Sequence, residues 1–191
     1  MLARWAGYLA LAGGALLLVL VVIVAFDPAS PAWWAFFAVV VLLGAAALGL
    51  WQHVRAATGQ LGMWAAWLSA IGAVGLLVVF AYAVATNQMN YDPAAVEAAD
   101  GSSYPLAPLW MVTAGAWFVG NLGFAVALIR ARLFSPIGGW LVVGGTLVGL
   151  AVTAVLGVNV PPAAMLLFAL FGVGWMVIGY GALRPALEAA T

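Results

Sequence analysis

Cysteine and lysine are absent from this chain of 191 residues, and five arginines, five acids and one histidine make up nearly all its charge. Each scarcity excludes a chemistry. Without thiols there is no disulfide, thiolate metal site or thiol redox couple. A single histidine, His53, rules out bis-histidine haem ligation within the chain and any multi-histidine metal site. It has no neighbouring carboxylate, so it reads as an interfacial residue and not as a base. A serine hydrolase would need its serine at the depth of His53. Ser69 lies several turns deeper, Ser30, Ser102 and Ser103 fall beyond the opposite ends of apolar runs, and Ser135 has no motif around it. The glycines sit inside apolar runs and form neither a GxGxxG nor a P-loop. No ionisable residue occupies the middle of an apolar run, which disfavours proton relays and voltage sensing, both of which place charge at membrane depth. A net charge of zero without basic runs offers nothing to nucleic acid and no polybasic patch for headgroups. The expectation is a non-enzymatic protein with no catalytic residues, metal or cofactor.

What is present is oil-soluble. The chain is 68 % hydrophobic and 5 % charged, where soluble domains carry roughly a quarter charged residues. So few charges cannot cover a water-exposed surface, and lipid is the expected solvent. Six runs reach the roughly 20 apolar residues that a spanning helix needs, at about 5–26, 32–52, 62–86, 106–129, 137–157 and 162–183. The first is too long for the roughly 7–15-residue core of a cleaved signal peptide and reads as a retained span. Polar or proline-bearing segments separate the runs: Asp27-Pro28 and Ser30-Pro31, then 53–62, then 87–105, then 130–136, then Pro161-Pro162.

Threading six spans places Arg4, Arg55, Arg130, Arg132 and Arg184 on one side of the membrane. Asp27, Asp92, Glu97 and Asp100 fall on the other, and Glu188 alone breaks the division. The positive-inside rule then makes both termini cytoplasmic. Tryptophans agree: Trp33, Trp34 and Trp110 fall near the outer interface, and Trp5, Trp51, Trp64 and Trp140 near the inner one. Abundant Ala, Gly, Val and Arg without Lys points to a GC-rich genome and so to a bacterium. The fold expected is all-α: a polytopic, six-transmembrane-helix bundle forming one integral domain over 1–191, in the bacterial inner membrane.

Within the 87–105 segment, DPAAVEAADG reads as a short helix at about 93–100. Asp92 suits its N-cap, Pro93 its first turn and Gly101 its end. Its acids match no EF-hand spacing. Glycines recur on helix faces in every span, among them Gly13, Gly14, Gly44, Gly49, Gly72, Gly75, Gly115, Gly120, Gly145, Gly149, Gly172 and Gly179. In lipid such faces let backbones approach closely, which argues for one compact bundle. Ser30-Pro31 before Trp33 and Ser135-Pro136 before Trp140 hint at two inverted three-span halves.

The polar groups at depth are few. Trp110, Thr113, Trp117, Asn121 and Phe124 share a helical stripe. With Tyr82 at the end of the third run they define a candidate pocket for a small neutral or hydrophobic molecule beneath the 87–105 segment. The plainer reading is that Asn121 bonds a neighbouring helix and the tryptophans fill the interior. No motif marks a family; in architecture alone, six spans with short loops resemble the small substrate-binding subunits of vitamin importers and, equally, many other bacterial membrane proteins, and no residue carries over. Two functions are therefore expected: an accessory protein acting through lipid, other membrane proteins or copies of itself, and, as the alternative, a binder or transporter of a small neutral molecule.

Overall fold

The structure is a computed structural model that describes residues 2–27, 35–85, 107–156 and 166–188. It is all-helical among those residues: α1 (Leu2–Phe26), α2 (Ala35–Ala85), α3 (Ala107–Arg130), α4 (Pro136–Leu156), a 3₁₀ turn (Leu166–Phe168) and α5 (Ala169–Glu188). Three helices are long and apolar enough to cross a membrane, over Arg4–Phe26, Ala35–Tyr82 and Pro108–Arg130. Shorter apolar stretches fill Pro136–Val148 in α4 and Ala169–Arg184 in α5. The outer faces carry Val19, Ile71, Val74, Val78, Met111, Val112 and Ile137, all exposed. Water would not tolerate so apolar a surface, whereas hydrocarbon does.

The helical α2 departs from the expected connector at 53–62. Both flanks of that segment are helical and only Gly59 leaves helical geometry, at φ 59° and ψ −148°. That conformation belongs almost wholly to glycine. A straight helix of 51 residues would run about 75 Å, more than twice a hydrocarbon core of about 30 Å. Instead, α2 doubles back at Gly59. Gly44 lies against Ala70 and Ala73, and Phe37 stacks on Phe80 with ring centroids 3.6 Å apart.

Antiparallel neighbours then follow the chain order. Gly13 meets Leu43 and Gly49 meets Ala6, joining α1 to the first arm of α2. Gly72, Gly75 and Gly120 join the second arm to α3, Gly139 joins α4 to α3, and Gly145 and Gly174 join α4 to α5. The 3₁₀ turn and α5 return to α1, where Gly7 faces Gly179 and Gly14 faces Gly172. The rods thus close into a ring. Backbones approach closely at three contacts, α1 with α5, the second arm of α2 with α3, and α4 with α5, where a Cβ on Gly145 would come within 2.5 Å of Phe171 N. A Cβ on Gly14 would come within 2.5 Å of the Gly172 carbonyl oxygen, and one on Gly179 within 2.7 Å of that of Gly7. Not every glycine serves this way, since a Cβ on Gly115 or Gly144 would meet open space.

This register collects all five arginines at one end. Arg4 begins α1 beside the end of α5 that bears Arg184, because Gly7 abuts Leu183. Arg55 stands by the α2 bend. Arg130 and Arg132 lie at the α3–α4 turn, whose Phe134 abuts Gly181. That turn has a Schellman-type cap: Arg132 N–H donates to Ile129 O at 3.0 Å and Leu133 N–H to Leu128 O at 3.1 Å. Arg132 takes the left-handed position, at φ 53°, where glycine is commonest. Asp27 sits at the opposite end of α1. The expected 93–100 helix, the Pro161-Pro162 start and Trp33-Trp34 lie outside the described residues, while the final helix continues past 183 to Glu188.

Candidate functional site

The centre of the ring is built where the second arm of α2 meets α3. Gly72 and Gly120 leave no side chain between these helices, and the backbones of Trp117 and Ser69 press into the space. That closeness brings Asn121 within reach of Ser69. Its amide Nδ2–H groups donate to Ser69 Oγ at 3.0 Å and to the Trp117 carbonyl at 2.7 Å. Both residues are fully buried. An amide flip would set Asn121 Oδ1 against the Trp117 carbonyl, two acceptors face to face, so the orientation follows from the surroundings.

Aromatic rings surround this pair. Trp117 makes edge contacts with Phe36 and Phe118 at centroid distances of 6.0 and 4.9 Å and a tilted one with Phe171 at 5.5 Å. Phe124 lies parallel to Trp175 at 6.2 Å. Trp117, Phe124, Phe171 and Trp175 are almost completely buried. They come from α3 and α5, which are not sequence neighbours, and close the middle of the ring. Three polar atoms here lack a hydrogen-bond partner among the described residues: Asn121 Oδ1, Trp117 Nε1 and Trp175 Nε1. Leaving such a group unpaired costs about 1–3 kcal/mol.

The stripe expected on α3 divides. Thr113, Trp117 and Asn121 are buried with Phe124, whereas Trp110 is 39 % exposed and Tyr82 is 43 % exposed, both on the outer surface. Thr113 spends its hydroxyl on its own helix, donating to the Leu109 carbonyl at 2.8 Å and reaching that of Trp110 at 3.2 Å. Thr58 and Thr146 do the same toward Val54 and Val142, at 3.1 and 2.7 Å. Among the described residues, burial thus groups Thr113, Trp117, Asn121 and Phe124 and leaves Trp110 and Tyr82 on the surface. Ser69, Phe171 and Trp175 complete the centre instead. Ser69 was legible only as a serine too deep for His53, because its partner lies 52 residues away. Among the described residues no group near the centre is charged, so the arrangement can donate and accept hydrogen bonds and fill space.

A second feature lies at the arginine end. The α2 bend encloses a surface groove of about 350 Å³ lined by Trp51, Arg55, Ala56, Gly59, Gln60 and Met63. Arg55 and Gln60 are exposed. Among the described residues no three His, Cys, Asp or Glu side chains are grouped to hold a metal. The chain matches no family model, no curated protein and no solved structure.

Proposed function

We propose that this chain is a six-span protein of the bacterial inner membrane with both termini cytoplasmic, acting without catalysis through contacts with lipid and other membrane proteins. The observation that carries this reading is the filled interior. Four large aromatic side chains occupy the centre of the ring at almost no exposure, which leaves the outer faces as the surface available for recognition. The doubled α2 supports two spans in place of one, and α4 and α5 supply the remaining two once the residues flanking their apolar stretches are counted. The arginines gathered at one end support the orientation.

The second reading is a binder of a small neutral molecule, and one observation favours it. Two indole N–H donors and one amide acceptor stand unpaired at the centre, a set that a small ligand with complementary groups, or water, would satisfy. The two readings separate on purification in mild detergent followed by mass spectrometry of whatever accompanies the protein. A protein or phospholipid at stoichiometric level is the expected result. A stoichiometric neutral small molecule, lost on Asn121→Leu, would replace the first reading with the second.

A further inference from the structure

We propose that the groove at the α2 bend is a binding site for the headgroup phosphate of an anionic phospholipid, with Arg55 as its principal ligand. Three independent features converge there. The groove has one cationic side chain, one neutral donor and an otherwise apolar lining, since Gln60 is the amide and Trp51, Met63 and Ala56 form the walls. A phosphate ester continuing into acyl chains has the matching form, an anion at one end and hydrocarbon at the other. Arg suits the anion because its planar fork donates several hydrogen bonds to phosphate oxygens, and Gln60 supplies a further N–H.

The second feature is the level of the groove. Trp64 lies one helical turn beyond Gln60, about 6 Å along the axis, and is 67 % exposed on the outer face. Trp5 and Trp140, near the same end of the ring, are 64 % and 61 % exposed. Exposed indoles gather at headgroup level. A groove one turn outside them therefore meets the phosphates, neither the hydrocarbon nor bulk water.

The third is charge. Arg55 has no ion-pair partner among the described residues. Its end of the ring also carries Arg4, Arg130, Arg132 and Arg184 against one acid in the helices, Glu188 at the end of α5, while Asp27 is at the far end. The local field thus favours an anion and opposes the choline of a zwitterionic lipid. Gly59 contributes by having no side chain, since the space where its Cβ would sit holds no atom within 4 Å, which keeps the mouth of the groove open.

The site rests on the proposed membrane orientation only in needing the arginine end at a bilayer surface. The test uses the full chain in mild detergent, with native mass spectrometry after adding equal amounts of phosphatidylglycerol and phosphatidylcholine. The wild-type protein should retain phosphatidylglycerol in preference. Arg55→Ala should lower that retention about fivefold, the weight of one basic residue against an anionic surface, and Arg55→Lys should restore part of it. Arg132→Ala, outside the groove lining but part of the same positive end, should lower retention clearly less than Arg55→Ala, and an unaltered melting temperature for each variant shows that all fold. Equal retention by wild type and Arg55→Ala, or no preference between the two lipids, overturns the inference while leaving the membrane reading intact. A further arm adds inorganic phosphate alone. Thermal protection by millimolar phosphate without selective lipid retention would identify a free anion as the ligand and overturn the lipid. Failure to retain any phospholipid would remove this site and weaken the membrane reading with it.

Discussion

At the scale of single residues, close approach separates glycines that matter from those that do not. A Cβ on Gly72 would collide with the Trp117 backbone and one on Gly14 with the Gly172 carbonyl, whereas one on Gly115 would touch nothing. A backbone cannot swing aside as a side chain can. Gly72→Leu and Gly14→Leu should therefore each destabilise the bundle by about 1–3 kcal/mol or more, while Gly115→Leu stays within about 0.5 kcal/mol. Thermal unfolding in mild detergent measures all three, and equal effects at positions 72 and 115 would contradict the described packing. Asn121 poses a finer question. Asn121→Ala removes the bond to Ser69 and opens a cavity, for a loss of about 1–2 kcal/mol. Asn121→Leu also removes that bond but fills the space and abolishes the unpaired Oδ1. It should cost less than about 1 kcal/mol, because replacing a half-satisfied polar group with an apolar one is often near neutral. A loss well above about 2 kcal/mol for both variants, each of which deletes Oδ1, would mean that Oδ1 is satisfied by something bound in the centre.

At the scale of elements, α2 shows what a hydropathy reading can and cannot deliver. Its two apolar runs, 32–52 and 62–86, are legible because each has the length of a span. The polar residues between them, Gln52, His53, Arg55, Thr58 and Gln60, look like a connector. Yet polarity does not forbid helix, and none of these residues breaks one. Only Gly59 does, through a conformation that side chains disfavour and that leaves no compositional trace. The stripe on α3 divides for a related reason: helical period aligns Trp110 with Thr113 and Trp117 but does not say where the neighbouring helix ends, so Trp110 is exposed. Asn121 and Ser69, 52 residues apart, meet through a register that no local pattern encodes. The bend can be tested directly, because the chain has no cysteine of its own. An ideal Cβ on Gly44 lies 3.0 Å from the Ala73 Cβ, slightly inside the 3.5–4.5 Å usual for a disulfide. The double substitution Gly44→Cys with Ala73→Cys should cross-link on mild oxidation. Moving the second substitution outward to Val74, which is exposed, should abolish the cross-link. Failure of the first pair would mean that α2 does not fold back.

At the scale of the whole molecule, burial repeats along the chain. One spacing carries Ala10 to Trp117, Gly13 to Gly120, Leu17 to Phe124 and Val21 to Leu128. A spacing one residue shorter carries Ala65 to Phe171, Ala66 to Gly172, Ser69 to Trp175 and Ala73 to Gly179. All sixteen positions are buried, so α1 and α3, and the second arm of α2 and α5, turn equivalent faces inward. Close glycine contacts, α1 with α5 and the second arm of α2 with α3, join these same four rods in pairs. Side-chain identity does not follow these spacings, with Ser69 standing opposite Trp175. Such a ring has two distinct ends, because along the sequence the connecting segments with arginine alternate with those without it. In a membrane that asymmetry would resolve into an orientation, and the orientation proposed from the positive-inside rule puts the arginine end in the cytoplasm. Asp27 and Gln60 are both exposed and sit at opposite ends. With no native cysteine to interfere, a membrane-impermeant thiol reagent applied to intact cells should label Asp27→Cys and leave Gln60→Cys untouched until the cells are opened. The reverse pattern would invert the protein. Labelling of both in intact cells would mean that the arginine end does not face the cytoplasm in a fixed orientation, and the positive-inside assignment would fall.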